Sequence, residues 1–169
     1  HIINRIFSFL LMNISIYIIF FFCKKNFNFI IAILSSIILI LSPKYFSLST
    51  LATVDHWNVF FSILIIYYSF EIQKNFKSSK NFIIYGVILG CSVATKYYNF
   101  LFAAPILTIF IIKIFENNYP YKQFFLMFIT SLLTFLICMP YSLINLVAFR
   151  EAIVGLYAGI QTGRVGEYS

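Results

Sequence analysis

Long apolar runs, each closed by a short polar or charged segment, follow one another along the whole chain. A helix needs about 20 apolar residues to cross a hydrocarbon core of about 30 Å, and roughly 17 to 25 is the usual range. Runs of this length, or somewhat shorter, predict about six membrane-crossing helices, over residues 6–23, 27–41, 57–70, 82–94, 100–112 and 123–140. The predicted fold class is all-α, a polytopic integral membrane helical bundle in which some helices are short.

Composition excludes the other broad classes of protein. Of the 169 residues, 62% are hydrophobic and 10% are charged, whereas a soluble domain has about 25% charged residues. One core cannot hide so much apolar surface, so a soluble enzyme, a secreted disulfide module and a disordered tail are all excluded. The net charge of +7 does not indicate a nucleic-acid partner, because the charged residues punctuate apolar runs as membrane-flanking charges do.

The two ends of the sequence indicate a part of something larger. The chain begins at His1 without Met or the basic region of a signal peptide, and it ends at Ser169 without a polar tail. We therefore expect an internal segment of a longer protein, in which residues 1–169 are part of one transmembrane domain. Residues 141–169 are less apolar and form the predicted outer segment, with an amphipathic surface helix over residues 149–160.

Residues 82–112 are the most informative stretch, because they are apolar for 31 residues except for the segment 95–99 in their middle. One straight helix of this length would measure about 46 Å and would place Lys96 near the midplane of the membrane. A Lys at that depth costs about 2.5–3.5 kcal/mol on insertion scales. Two short helices with Lys96 at the turn between them avoid this cost, and we favour them over the single helix.

The distribution of basic residues fits both interpretations. With two helices, the loops at 24–25, 71–81 and 113–122 share one side and carry seven of the twelve Lys and Arg residues. With one long helix, seven basic residues again fall on the favoured side, so the counts do not decide. The cost of burying Lys96 does decide, and cytoplasmic lysine loops then place Asp55, Lys96 and the C-terminal segment on the outer face.

Two sets of small side chains lie inside the predicted spans. Gly86 and Gly90 form a GxxxG spacing, which permits a helix to pack closely on a neighbour. Cys23, Cys91 and Cys138 each lie in an apolar run without a CxxC pair, and we interpret them as buried free thiols. The glycines therefore predict a helix contact, whereas the cysteines predict no metal site.

Asp55 and Lys96 are the strongest candidates for chemistry. Asp55 fits two interpretations about equally: a carboxylate that caps the following helix, or a site carboxylate that binds a metal or positions an acceptor. His56 follows directly, but adjacent helical residues point in different directions, so a joint metal site is not favoured. Lys96 is a snorkelling side chain or a point charge for a lipid phosphate, and we favour the second. Arg164 between two glycines could act likewise, although a solvated loop Arg is the simpler interpretation.

No HExxH, GxSxG or P-loop motif is present, but the order of several short segments is recognisable. In chain order these segments are Arg5 at the opening of a span, Pro43 at the close of the second, 49–55, 85–97, 140–143 and 163–166. Together they look like the middle of a polyprenyl-phosphate-sugar-dependent glycosyltransferase of the GT-C superfamily. The nearest groups are the protein O-mannosyltransferase-like family 39 and its bacterial relatives, including the aminoarabinose transferases. The resemblance covers nearly the whole chain, and the glycine-to-Thr-Lys-Tyr segment within 85–97 is its most specific part.

The resemblance implies an inverting sugar transfer on the outer face, in which an acceptor attacks the anomeric carbon and polyprenyl phosphate departs. Asp55 then matches the acidic residue of the second outer loop and supports catalysis, while the main catalytic Asp is expected before His1. Lys96 matches a Lys that approaches the lipid phosphate. Tyr97 and Arg164 are assigned with it to substrate binding, although Arg164 replaces the His common in its segment.

The implied partners are a polyprenyl-phosphate-linked sugar donor, a lipid, glycan or protein acceptor, and membrane lipids. No cofactor is certain, and a divalent metal stays open; the implied location is the bacterial or archaeal plasma (inner) membrane, crossed several times. The main alternative is a transporter or lipid-linked-sugar flippase, in which broken helices and a Lys within the membrane line a substrate path. An inverted repeat would favour that alternative, and no convincing one is present. A non-catalytic membrane scaffold is the third class, against which the polar residues argue mildly.

Overall fold

The computed structural model describes residues 2–50, 55–116, 121–140, 144–147, 149–151 and 154–155. The elements within these ranges are all helical, as predicted, and no strand occurs among the described residues. In chain order they are α1 (Ile2–Asn26), α2 (Phe29–Leu41), α3 (Pro43–Thr50), α4 (Asp55–Lys74), α5 (Ser79–Thr95), a 3-10 helix (Tyr97–Ala103), α6 (Ala104–Phe115) and α7 (Tyr121–Cys138).

Three stretches of the described chain are long and apolar enough to cross a membrane: Ile2–Asn26, Tyr97–Phe115 and Tyr121–Cys138. Two further apolar helices, Phe29–Leu41 and Ser79–Thr95, are shorter. Large apolar side chains cover much of the outside of the bundle, such as Ile38 at 70% exposure and Phe125 at 66%. Lipid is the solvent that suits such a surface, so the architecture is that of a helical membrane bundle.

The chain reverses direction at Lys96. The backbone of Lys96 is extended, with φ −150° and ψ 124°, and it separates α5 from the 3-10 helix. The hydroxyl of Tyr85 donates to the carbonyl oxygen of Phe102 at 3.0 Å, and Lys113 Nζ lies 5.7 Å from the ring centroid of Phe76. The chain after Lys96 therefore runs back towards the start of α5, with the 3-10 helix against α5 and α6 against α4, as the two-helix interpretation predicts and the single helix does not.

These reversals give the bundle two ends of different character. One end, called here the lysine-rich end, carries the seven basic residues of the three predicted loops, namely Lys24, Lys25, Lys74, Lys77, Lys80, Lys113 and Lys122. At the other end, called here the Lys96 end, α4 begins and α5 and α7 finish. α1 runs parallel to α4, since Ser8 lies against His56 at the Lys96 end and Lys25 pairs with Glu71 at the lysine-rich end.

Several helix bounds differ from those predicted, and prolines explain two of the differences. Pro43 ends α2 as expected but also begins α3, a helix that the sequence interpretation missed, because the fixed φ of proline suits the first position of a helix. The last span was predicted to reach residue 140, whereas α7 ends at Cys138, because Pro140 disfavours helical backbone at the residue before it. α4 is longer than the predicted span 57–70 and includes Asp55 in its first turn.

The GxxxG prediction is confirmed by the contact between α5 and α7. A Cβ added at Gly86 would collide with Thr130 Oγ1 and lie 2.6 Å from the carbonyl oxygen of Met127. A Cβ added at Gly90 would collide with the carbonyl oxygen of Ser131 and lie 2.8 Å from Thr134 Cβ. Glycine at both positions therefore lets two parallel helices approach backbone to backbone.

The interpretation of the cysteines as three separate buried thiols is wrong for two of them. Cys23 is buried, whereas Cys91 is half-buried and Cys138 is exposed. The Sγ atoms of Cys91 and Cys138 are 3.9 Å apart. The close approach of α5 and α7 brings them together, and a sequence separation of 47 residues gave no sign of it.

Candidate functional site

The Lys96 end is organised around an ion pair between the two strongest sequence candidates. Asp55 lies in the first turn of α4, where the helix dipole favours a carboxylate. Lys96 lies at the break after α5, and its Nζ donates a hydrogen bond to Asp55 Oδ1. The side chain of Asp55 is 39% exposed and that of Lys96 is 27% exposed, so the pair is partly sheltered but open to a ligand.

A network of buried hydrogen bonds, centred on the side-chain amide of Asn99, lies next to the ion pair. Asn99 in the 3-10 helix is fully buried, and its Nδ2 donates to Asn58 Oδ1 at 2.7 Å and to the carbonyl oxygen of Ser92 at 2.9 Å. Thr95 Oγ1 lies 3.3 Å from both amide groups and donates to the Ser92 carbonyl at 2.6 Å. These bonds join α4, α5 and the 3-10 helix, and they therefore hold the helix break that carries Lys96.

Sequence reasoning missed this network, although a signal was present. Asn58 comes three residues after Asp55, and Asn99 comes three residues after Lys96. Residues three apart on a helix lie on the same face, which places Asn58 beside Asp55 on α4, and the backbone N–H of Asn99 donates to the carbonyl oxygen of Lys96 at 2.9 Å. Asn99 Oδ1 and Ser92 Oγ are buried without a hydrogen-bond partner among the described residues, which leaves the network with unused bonding capacity.

Lys96 keeps its positive charge at neutral pH. Partial burial acts to lower the pKa of Lys96, but its hydrogen bonds to Asp55 and Tyr98 outweigh that effect and raise the pKa above its usual value. The Nζ also lies 5.6 Å from the ring centroid of Tyr98, within the range of a cation–π contact. The site can therefore offer a fixed cation to an anionic group.

The other predicted residues are not all brought to the ion pair. Tyr97 contacts the chain after α7. Its hydroxyl donates to Met139 Sδ at 3.4 Å, and its ring centroid lies 5.6 Å from that of Phe149. His56 is buried, with its Nδ1 3.2 Å from Ser8 Oγ on α1, so it faces a different element from Asp55. Arg164 lies outside the described residues.

Metal binding gains no support from the described part of the chain. Those residues contain no group of three or more His, Cys, Asp or Glu side chains that could hold an ion. Asp55 is engaged by a lysine, and His56 points to Ser8. The arrangement is suited to binding an anion near a paired carboxylate.

Together, the helical bundle, its lipid-facing surface and its sheltered Lys–Asp pair define an integral membrane protein with a polar site at one end. A comparison with protein-family profiles matches residues 3–144 to the family described as dolichyl-phosphate-mannose-protein mannosyltransferase. The match covers well over half of the chain, and the chain belongs to this family of membrane glycosyltransferases. Asp55, Lys96 and Tyr97 fall within the matched range and Arg164 does not. Comparisons with curated proteins and with solved structures give no match.

Proposed function

We propose that this chain is part of an enzyme that transfers a sugar from a polyprenyl-phosphate donor to an acceptor hydroxyl on the outer face of the membrane. The observation that carries the proposal is the Asp55–Lys96 pair at a helix break, within the matched range of the family. A lysine held among short helices suits the phosphate of a lipid carrier, because that phosphate sits at the membrane boundary and carries the leaving charge.

The proposed orientation rests on the difference in charge between the two ends of the bundle. Lysine and arginine are enriched in cytoplasmic loops of membrane proteins. The lysine-rich end carries seven of the twelve basic residues and is therefore assigned to the cytoplasm. The Lys96 end is then the outer end, which puts the site where a lipid-linked sugar on the outer leaflet can reach it.

In the proposed reaction, the acceptor oxygen attacks the anomeric carbon from the side opposite to the lipid phosphate. The bond between that carbon and the phosphate oxygen breaks, and polyprenyl phosphate leaves with the electron pair while the acceptor proton passes to a general base. We assign that base to the segment before His1, and Lys96 to the departing phosphate. Asp55 holds Lys96 in place before the donor binds and supports the acceptor side afterwards; Tyr97 and Arg164 are assigned to substrate binding.

A transfer assay on the full-length protein in proteoliposomes tests this assignment. The labelled donors are polyprenyl-phosphate sugars, and the readout is label moved to acceptor. We expect Lys96→Ala to lower the rate by about 10²-fold, the typical cost of removing one charge-stabilising group. Lys25→Ala removes a lysine from an ion pair at the other end and is the matched control, with an expected change below about twofold.

Two results would overturn the proposal. The first is a Lys96→Ala protein, correctly inserted and monodisperse in detergent, that transfers sugar at the wild-type rate. The second is a wild-type protein that moves the labelled donor between leaflets without transferring the sugar, which would favour the flippase. Addition of a chelator to the same assay reads out any need for a divalent metal.

A further inference from the structure

We infer that Cys91 and Cys138 form a redox-reactive thiol pair, a modification site at which a disulfide bond links α5 to α7. Their Sγ atoms are 3.9 Å apart, although 47 residues separate them in the chain. A disulfide has a sulfur–sulfur distance of about 2.05 Å, so side-chain rotation has to bring the two atoms closer.

A close contact between α5 and α7 lies beside the two cysteines. Gly90, directly before Cys91, would collide through an added Cβ with the carbonyl oxygen of Ser131 on α7. Cys138 lies two helical turns beyond Ser131 on the same helix. Both cysteines thus lie just beyond the glycine contact between α5 and α7, on the side of the Lys96 end, and the bond would join helices that already touch.

Exposure decides the order of the two steps. Cys138 is exposed and is the last residue of α7, at the end of its apolar span, whereas Cys91 is half-buried within α5. The Cys138 thiolate therefore attacks one sulfur of a small-molecule disulfide first, which breaks that disulfide and releases one thiol. The Cys91 sulfur then attacks the mixed disulfide, the Cys91–Cys138 bond forms, and a second small thiol leaves. Each released thiol carries one of the two protons, so atoms and electrons balance.

The position of the pair gives the bond a consequence. Cys91 is five residues before Lys96, and Cys138 precedes Met139, whose sulfur accepts the hydrogen bond of Tyr97. A disulfide would pin the end of α7 beside the helix break. If the Lys96 end is outer, a step that rests on the proposed function, the pair also faces a compartment in which disulfides persist.

The test uses the full-length protein in detergent with 4,4′-dipyridyl disulfide as the oxidant. After quenching and denaturation, free thiols are counted by a maleimide-PEG mobility shift, and linked peptides are identified by mass spectrometry. We expect the wild type to lose two reactive thiols and to yield a linked Cys91–Cys138 peptide pair. Cys23→Ser is the matched control, because Cys23 is buried with Ser35 as its contact, and it should form the same link.

The variants make the result decisive. Cys138→Ser should leave Cys91 open to maleimide after oxidation, and Cys91→Ser should stop at the mixed disulfide on Cys138. A wild-type protein that retains both thiols, stops at the mixed disulfide, or links Cys138 to a second molecule would overturn the inference. The wild-type peptide result needs no variant to fold, and none of these measurements depends on sugar transfer, so a failure here is distinct from failure of the proposed function.

Discussion

The two ends of the bundle each carry an ion pair that joins α4 to another segment, yet the two pairs have different surroundings. Asp55 pairs with Lys96 above the buried network of Asn99. Glu71 pairs with Lys25 at the lysine-rich end, where the side chain of Glu71 is 22% exposed and that of Lys25 is 51% exposed. The two pairs therefore differ in the buried hydrogen bonds that lie beside them, and the proposed site is the pair with the buried network.

The two ends of the bundle also differ in their balance of basic and acidic residues. At the lysine-rich end, seven lysines face two acidic residues in the described chain, Glu71 and Glu116, and the surplus is of the kind that orients a membrane protein. The described part of the Lys96 end has a smaller surplus, because four basic residues (Arg5, Lys44, Lys96 and Arg150) face two acidic ones (Asp55 and Glu151), and Asp55 pairs with Lys96. In the proposed function, charge at the lysine-rich end orients the protein, and the charge of Lys96 at the other end serves to bind the donor phosphate.

The largest expected difference between the ends comes from exchanging the partners of each pair. Asp55→Lys combined with Lys96→Asp keeps the attraction but moves the cation from the helix break to the first turn of α4, where the helix dipole disfavours it. We expect sugar transfer to fall by about 10²-fold, because the phosphate contact is lost. Initial rates in proteoliposomes measure this.

The matching exchange at the other end is Lys25→Glu combined with Glu71→Lys. It preserves the net charge of the lysine-rich end, and an exposed pair of this kind contributes only about 0–1 kcal/mol. We expect the rate to stay within about twofold of wild type. Equal losses in both double variants would show that the two pairs serve the same structural purpose.

A smaller effect is expected from the network beneath the pair. Asn99→Ala removes a buried amide that donates to Asn58 and Ser92, and unsatisfied buried groups cost about 1–3 kcal/mol. We expect a lower melting temperature in detergent, together with slower transfer, because the break at Lys96 is no longer held.

The control for this variant is Asn75→Ala, since Asn75 is an exposed amide between α4 and α5 at the lysine-rich end. Its expected effect on the free energy of unfolding is within about 0.5 kcal/mol. A melting temperature for Asn99→Ala equal to that of Asn75→Ala would mean that the network does not stabilise the Lys96 end.

The sequence predicts those features that depend only on residues close together in the chain. Burying Lys96 inside one helix is expensive wherever it occurs, so the helix break was predictable, and the spacing of Gly86 and Gly90 predicted a close contact. The partner of that contact was not predictable, because it depends on how α5 and α7 meet. The same reason hid the approach of Cys138 to Cys91 and the bonds of Asn99, which join three elements separated in the chain.

The smallest expected effect concerns pH and tests whether Lys96 is a permanent cation. Its pKa is raised above the ordinary 10.5, so the stability that its charge contributes is complete below about pH 10.5 and is lost only as the pH rises through the raised pKa. We expect the difference in melting temperature between wild type and Lys96→Met to stay constant from pH 7 to pH 10, with Lys25→Met correcting for general effects of pH. A difference that shrinks between pH 7 and pH 9 would show that burial outweighs the hydrogen bonds to Asp55 and Tyr98, and the charge at the Lys96 end would then be switchable instead of fixed.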